Sequence, residues 1–269
     1  MVENPITLPF DYIRPKLSLT HEAINRHRDD NLRSLLDRKK LHLILDLDHT
    51  LIHTRKTMKL LDREKGQRFK KINDAYEIFE GKFVVKLRPG VRDFLNQVSS
   101  MFDLSIYTTG TRIYAHNVVE LLDKSRFMYV ITREDSLKEN QKSLNNVLLH
   151  ERVVLIVDDK QDVWEESSRE NLIKIKPYRY YLPTKNNAKE SDDELTRVLS
   201  ILKEVHRVFY DEHCKHNGVE YDCSNKDVRE VLRRVTRRSG SPLLKIKVII
   251  GSWLGNLFGP CNSQPRTKV

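Results

Sequence analysis

Two apolar runs that each stop at acidic residues constrain the fold of this chain more than any other feature. The first reads LHLILDLD, from Leu41 to Asp48, and the second reads VVLIVDD, from Val153 to Asp159. Runs with so little polar interruption are typical of strands that lie buried on both faces of a parallel sheet. The sequence therefore predicts at least two buried strands, each of which leads directly into carboxylates.

Other strand-like runs alternate with helical patterns along the chain. Strands are predicted at KFVVKL, at Leu104–Tyr107, at Met128–Asp135 and in NLIKIKPYRYY. A turn at Arg88-Pro89-Gly90 introduces one helix. A second helix is predicted to have an apolar face formed by Ile113, Val118, Val119, Leu121 and Leu122. The alternation predicts an α/β fold with a mostly parallel sheet and helices on both faces.

Polar side chains follow three of the predicted strands. Asp46 and Asp48 end the first run, Thr108 follows DLSIY, and Asp158 and Asp159 end VVLIVDD. Parallel sheets bind ligands beyond the carboxyl ends of their strands. Two carboxylates on one side of a strand are tolerated when a cation lies between them or when one holds a proton. The pattern favours a ligand or catalytic site, and the alternative is that DLDHT forms only a turn or a helix cap.

Composition narrows the classes of partner and compartment. The chain of 269 residues has 48 Lys and Arg against 38 Asp and Glu, a net charge of +10, which favours anionic partners. It contains no P-loop, GxGxxG or aromatic RNA platform, so nucleic acid is not expected as a substrate. Cys214, Cys223 and Cys261 form no CxxC pair and indicate a reducing compartment. The apolar stretch IKVIIGSWLGNLF is too short to cross a bilayer, so no membrane anchor is expected.

Five motifs in order resemble a known enzyme family. They are DLDHTLIHT, KLRPGVRDFL, YTTGTRIYA, QKSL and LIVDDKQDVW. They resemble the haloacid dehalogenase superfamily and, within it, the phosphatases of the RNA polymerase II C-terminal domain, especially the plant phosphatase-like branch. The similarity covers about Leu41 to Tyr210. It implies a Rossmann-like haloacid dehalogenase fold, with a basic helical tail at the C-terminus.

The resemblance also implies a function. A protein of this family would be a Mg²⁺-dependent protein serine/threonine phosphatase acting on phosphoserine in the heptad repeats of RNA polymerase II, through an aspartyl-phosphate intermediate. Its partners would be the phosphorylated C-terminal domain of the polymerase and transcription factors, and its location would be the nucleus. The alternatives are a phosphatase for another phosphoprotein or a small phosphate ester, and a catalytically idle scaffold of the same fold that binds phosphoprotein.

Site residues follow from the resemblance motif by motif. Asp46 would be the nucleophile, and Asp48 the general acid and base. Thr108 would donate a hydrogen bond to the phosphate. Lys142 would bring positive charge to the phosphate and the nucleophile, and Arg133 would be a second cation near the substrate. The alternatives are a solvated Lys142, and for Arg133 a surface position or an ion pair.

The implied metal is Mg²⁺, a hard cation that suits carboxylates and phosphate oxygens. Its ligands would be the Asp46 carboxylate, the Asp48 backbone carbonyl and Asp158, with Asp159 acting through water. His49 follows this pair directly. It is expected to be a neighbour that points away from the carboxylates, and the alternative is a metal-binding histidine.

Several other residues in the motifs are ambiguous. Thr111 is predicted to cap the helix that begins near Arg112. Arg112 and Tyr114 either contribute to the site or face solvent and core, and Trp164 is expected to be a packed aromatic side chain. The basic helix DVREVLRRVTRR either attracts acidic partners or is a solvated face.

The chain is predicted to divide into three parts. Residues 1–40 form a polar helical extension, residues 41–210 the catalytic domain, and residues 211–269 a basic linker helix with a short tail. In the large polymerase phosphatases a BRCT module usually follows a linker that NKDVREVLRRVTRR resembles. About 30 residues remain after Arg238, fewer than the roughly 50 of a small independent domain. A complete BRCT module is therefore not expected in this sequence.

Overall fold

A five-stranded parallel sheet forms the centre of the computed structural model, which describes residues 6–57, 75–180, 192–211 and 226–239. The strands are β1 (Thr7–Pro9), β2 (Ser18–Thr20), β3 (Leu41–Leu45), β4 (Ile52–Lys56), β5 (Ala75–Ile78), β6 (Phe83–Leu87), β7 (Phe102–Tyr107), β8 (Phe127–Ile131), β9 (Val154–Asp158) and β10 (Leu172–Lys174). The helices are α1 (His21–Asp37), α2 (Val91–Val98), α3 (Arg112–Leu121), α4 (Glu194–Asp211) and α5 (Val228–Ser239).

The central sheet has the strand order β10-β9-β3-β7-β8, and every neighbouring pair is parallel. Every residue of β3 and of β9 is buried. Because successive side chains of a strand point to opposite faces, this burial shows that both faces of the sheet are covered. The predicted α/β fold with a mostly parallel sheet is confirmed.

Two details of the predicted elements are wrong. The strand predicted at Met128–Asp135 ends at Ile131, because Thr132 and Asp135 form a capping box that turns the chain into a short 3₁₀ helix. Ile113 does not belong to the apolar face of α3 and is 70% exposed. It lies two positions before Ala115, the first buried residue of the helix, so it points to the opposite side.

The segment of the chain between β3 and β7 forms a second sheet. It is antiparallel, has the order β4-β6-β5, and was predicted only at β6. β4 begins six residues after Asp46, so this sheet starts directly beside the predicted site. Residues 58–74, part of the segment 55–82 whose role the sequence pattern does not define, lie outside the described residues.

The segments at either end of the central domain also contribute to packing. Leu32 and Leu35 of α1 join the main core, and the four buried residues of α5 do the same, namely Val228, Val231, Leu232 and Val235. The division at residues 40 and 210 stays a prediction. The predicted tail 239–269 is described only at Ser239, the last residue of α5, and the three cysteines lie outside the described residues. Among the helices that are described, none combines the length and the apolar character that crossing a membrane requires.

Candidate active site

The predicted acidic residues meet where the central strands end. Asp46 directly follows β3, and its backbone N–H donates to the Val157 carbonyl of β9 at 3.0 Å. Asp158 is the last residue of β9, and Asp159 follows it. Carboxylate oxygens of Asp46, Asp158 and Asp159 lie within 4.8 Å of one another, and all three residues are buried. The order of the parallel strands brings these side chains together.

Burial and mutual repulsion alter the ionisation of this acidic cluster. Burial raises the pKa of Asp46 to about 8, against the opposing effect of the Lys142 ammonium. Burial and the neighbouring Asp158 also raise the pKa of Asp159. Carboxylates that are removed from water and face each other favour their protonated form unless cations compensate them.

Lys142 supplies one compensating charge. Its Nζ donates to Asp46 Oδ1 at 2.7 Å and to Asp158 Oδ2 at 2.6 Å, and the residue is 1% exposed. Burial lowers the pKa of Lys142, but the attraction of the two carboxylates outweighs burial and leaves the pKa raised. The alternative of a solvated lysine is therefore wrong. The structure places Lys142 between the two aspartates.

The charge balance of the cluster fits a divalent cation. Three carboxylates face one ammonium group, which leaves an excess of two negative charges when all are ionised. Buried carboxylate oxygens are the ligands that Mg²⁺ prefers in proteins. The cluster consists of the side chains of Asp46, Asp158 and Asp159, and the backbone carbonyl of Asp48 stays a predicted ligand.

The Asp48 side chain is half-buried and is held by a tyrosine. Tyr114 Oη donates to Asp48 Oδ1 at 2.6 Å, and Thr54 Oγ1 lies 2.6 Å from the same hydroxyl. The Tyr114 ring packs over Gly110, where an added Cβ would lie 2.7 Å from the ring. The sequence alone left Tyr114 between site, solvent and core. The signal that could have found it is the need of a buried tyrosine hydroxyl for a polar partner.

Thr108 lies at the end of β7, the strand beside β3. It is buried, and its Oγ1 accepts a hydrogen bond from the Gly110 backbone N–H at 3.0 Å. The hydroxyl hydrogen of Thr108 is therefore available to a ligand. Thr111 caps α3, because its side chain accepts from the Tyr114 backbone N–H, so this predicted cap is confirmed.

Arg112 and Arg133 lie near the loop from Thr108 to Thr111, and neither belongs to the acidic cluster. Arg133 is exposed, and its Nε donates to the Thr109 carbonyl at 2.8 Å. Arg112 forms an ion pair with Asp135 at 2.6 Å. Arg133 thus lies against the loop that carries Thr108. Its remaining guanidinium N–H groups can donate to a ligand at the exposed edge of the site.

The neighbours of the aspartates are fixed by specific contacts. His49 has a positive φ of 65°, so strand alternation stops there, and its Nδ1 lies 3.0 Å from the Tyr178 carbonyl. Trp164 is fully buried, as predicted for a packed aromatic, but its indole N–H also donates to Asp158 Oδ2 at 2.8 Å. Trp164 therefore orients the Asp158 carboxylate, a role that its position after LIVDDKQDV did not indicate.

Arg88 secures the loop that follows Asp48. Its buried guanidinium forms a bidentate ion pair with Asp192, with N–O distances of 2.9 and 3.2 Å. The same group donates to the carbonyls of Thr50 and Lys176, at 2.9 Å each. The sequence predicted only a turn at this position. The structure shows that the arginine joins the loop after Asp48 to two later segments of the chain.

Comparisons with known proteins identify the family of this chain. The model of the family described as NLI interacting factor-like phosphatase matches residues 41–219. The RNA polymerase II C-terminal domain phosphatase-like 4 of Arabidopsis thaliana is 33% identical over 255 residues, which are 85% of this chain and 56% of that protein. The RNA polymerase II C-terminal domain phosphatase-like 3 of the same plant is 25% identical over 256 residues, which are 83% of this chain and 20% of that protein.

A solved structure shares the fold. The structure of Fcp1, described as an essential RNA polymerase II CTD phosphatase, superposes with a TM-score of 0.60 at 24% identity and covers 77% of this chain and 73% of that one. This chain spans about half or less of the length of the curated relatives named above. The family model nevertheless covers the whole central sheet and every predicted site residue. The predicted resemblance is confirmed, and the chain belongs to the NLI interacting factor-like phosphatase family.

Proposed function

We propose that this protein is a Mg²⁺-dependent protein serine/threonine phosphatase that acts in the nucleus on phosphoserine in the heptad repeats of the RNA polymerase II C-terminal domain. The observation that carries the proposal is the contact of Lys142 with both Asp46 and Asp158 at the ends of two adjacent parallel strands. A cation fixed between a candidate nucleophile and a candidate metal ligand supplies positioning and charge neutralisation, the two effects on which phosphoryl transfer chiefly depends. The names of the relatives indicate the substrate.

The first half of the reaction transfers the phosphoryl group to the protein. An Asp46 carboxylate oxygen attacks phosphorus, and the bond from phosphorus to the serine oxygen breaks. Asp48 donates a proton to the leaving serine oxygen, which departs as the hydroxyl. The product is an aspartyl-phosphate on Asp46.

The second half releases phosphate and restores the protein. Asp48, now ionised, accepts a proton from a water molecule while the water oxygen attacks phosphorus. The bond between phosphorus and the Asp46 oxygen breaks, inorganic phosphate leaves, and Asp48 is again protonated. Tyr114 orients Asp48 for both proton transfers, since its hydroxyl binds one carboxylate oxygen and leaves the other for the substrate.

Positive charge and donors surround the phosphoryl group during both steps. Lys142 neutralises charge at Asp46 and the transferred group, and the Thr108 hydroxyl donates to a phosphate oxygen. Arg133 contributes a second positive charge at the rim of the site. Mg²⁺ would be held by Asp46, the Asp48 backbone carbonyl and Asp158, with Asp159 acting through water, and it supplies positive charge that lowers the barrier to phosphoryl transfer.

The test of this function is phosphate release from a phosphorylated heptad-repeat peptide. We expect release with Mg²⁺, loss of release with excess chelator, and recovery when Mg²⁺ is restored. Competition between the peptide and a small aryl phosphate distinguishes the substrate classes, because a protein phosphatase is expected to prefer the peptide in kcat/KM. Absence of release from both substrates would contradict the proposal and favour the idle scaffold.

Tyr114→Phe tests how Asp48 is positioned. The variant loses one hydrogen bond to a carboxylate, an interaction worth roughly 1.5–3 kcal/mol, so kcat is expected to fall about 10- to 150-fold. The measurement is steady-state phosphate release at saturating peptide. The matched control is Tyr76→Phe, which removes a hydroxyl that accepts from Arg92 on the surface. Equal activity of the two variants would show that the Tyr114 hydroxyl does not support the reaction.

A further inference from the structure

The segment that carries Lys142 has little regular structure of its own. All of residues 132–153, between β8 and β9, are described, and they contain only three short 3₁₀ turns. The backbone of Lys142 is held on one side. Its backbone N–H donates to the Val163 carbonyl at 2.7 Å, and its carbonyl accepts from the Glu165 backbone N–H at 2.9 Å. The backbone carbonyls that follow Lys142 find partners partly within the turn itself, as in the 3.1 Å hydrogen bond from the Val147 N–H to the Leu144 carbonyl, and partly in other segments of the protein.

Arg28 of α1 supplies partners for three of these carbonyls. Its Nη2 donates to the carbonyls of Leu144, Asn145 and Val147 at 3.3, 3.0 and 3.1 Å. Its Nε also donates to the Val147 carbonyl at 3.2 Å. The planar guanidinium therefore holds the end of the short turn that begins two residues after Lys142.

Other groups of the N-terminal segment bind the same loop. Asn31 Nδ2 donates to the Leu148 carbonyl at 2.7 Å. The Leu148 side chain packs with Phe10 and Ile24 in a small cluster that is separate from the main core. The helix α1 and the residues before it therefore contact the loop through both polar and apolar groups.

We propose that α1 is a brace for the Lys142 loop and that Arg28 and Asn31 are positioning residues for the phosphatase reaction. The inference rests on the role of Lys142 in the proposed function. Segment 163–165 holds the loop from one side and α1 holds it from the other, so Nζ remains between Asp46 and Asp158. Displacements of about 1 Å in a catalytic group are known to cost on the order of 10²-fold in rate.

The kinetic test compares Arg28→Ala with Arg26→Ala. Arg26 lies on the same helix in an exposed ion pair with Glu22, so its replacement removes the same charge without touching the loop. Arg28→Ala is expected to lower kcat about tenfold and to change KM less than twofold, since the lysine acts on the reacting groups. Arg28→Lys is expected to recover only part of the loss, because a single ammonium nitrogen lacks the planar arrangement by which Nε and Nη2 of Arg28 reach the carbonyls. Arg26→Ala should keep normal kinetics.

A second readout does not depend on activity. The chain has two tryptophans, so a Trp253→Phe background leaves Trp164, whose ring lies 5.4 Å from Lys142 Nζ, as the fluorescent reporter. Arg28→Ala is expected to increase acrylamide quenching of Trp164 at least twofold, and Arg26→Ala to leave it unchanged.

The outcomes separate this inference from the proposed function. Normal kcat and normal quenching in Arg28→Ala would overturn the brace, as would equal effects of Arg26→Ala. Urea unfolding gives the fraction of each variant that is folded. If kcat of Arg28→Ala fell only in proportion to that fraction, the brace would also be overturned, since α1 would then only stabilise the fold. Failure of the proposed role of Lys142 would instead appear as normal turnover in Lys142→Met while Trp164 quenching still responded to Arg28→Ala.

Discussion

Asp46→Asn is expected to lower phosphate release from a phosphorylated heptad peptide by at least ~10⁴-fold. The amide has nearly the same shape as the carboxylate but is a poor nucleophile, so the aspartyl-phosphate cannot form. The measurement is phosphate release with saturating Mg²⁺. Retention of more than one hundredth of the normal rate in Asp46→Asn would remove this residue from the role of nucleophile.

The stability of the same variant provides its control. The pKa of Asp46 is raised from 3.8 to about 8 by burial, so the folded protein holds a proton that the unfolded chain has released. The free energy of unfolding therefore falls as the pH rises from about 4 to about 8 in the presence of chelator. Asparagine has no proton to lose, and Asp46→Asn is expected to melt at or above the wild-type temperature at pH 8. Inactivity cannot then be attributed to unfolding.

Asp48→Asn is expected to lower turnover on the phosphopeptide by ~10²- to 10⁴-fold, the range of general acid and base catalysis. Asparagine can neither protonate the leaving serine oxygen nor accept a proton from water. The matched control is Asp93→Asn, which changes an exposed acid in the first turn of α2. Similar turnover in Asp48→Asn and Asp93→Asn would exclude Asp48 from proton transfer.

An aryl phosphate separates the two roles of Asp48. An aryl oxide leaves without a proton, so the first step is expected to remain rapid in Asp48→Asn, whereas the water step loses its base. The variant should therefore release one equivalent of phenolate per protein in a burst and then turn over slowly. A slow reaction without a burst would show that Asp48 is needed before the phosphoryl group is transferred.

The parts of the molecule that could be predicted are those with a local signal. β3 and β9 are buried on both faces, and continuous apolar runs ending in acids indicated both strands. The ends of parallel strands meet at one edge, so the meeting of Asp46 with Asp158 also followed from the sequence. The roles of these residues, and of Thr108, Lys142 and Arg133, stay predictions that phosphate release from the intact protein and its variants tests.

The missed contacts join residues that are distant in the chain. Tyr114 lies 66 positions from Asp48, Arg88 lies 104 from Asp192, and Arg28 lies 119 from Val147. Hydrophobic periodicity describes only the neighbours of a residue along one element, so it could not pair these groups. Of the small antiparallel sheet only β6 was predicted, and β4 was missed because IHTRK mixes polar and apolar residues without a clear period.

The contacts of Arg88 tie the loop after Asp48 to parts of the chain that are synthesised much later. Its guanidinium joins the Thr50 carbonyl of this loop to the Lys176 carbonyl and to Asp192, and both of these partners follow the loop by more than 100 positions. A growing chain that ends before Asp192 would leave this arginine without its carboxylate, which costs on the order of 3–5 kcal/mol for a buried pair. Contacts of such long sequence separation also form slowly. A nascent chain that already carries both candidate catalytic aspartates therefore lacks the ion-pair partner of Arg88 until Asp192 has been added.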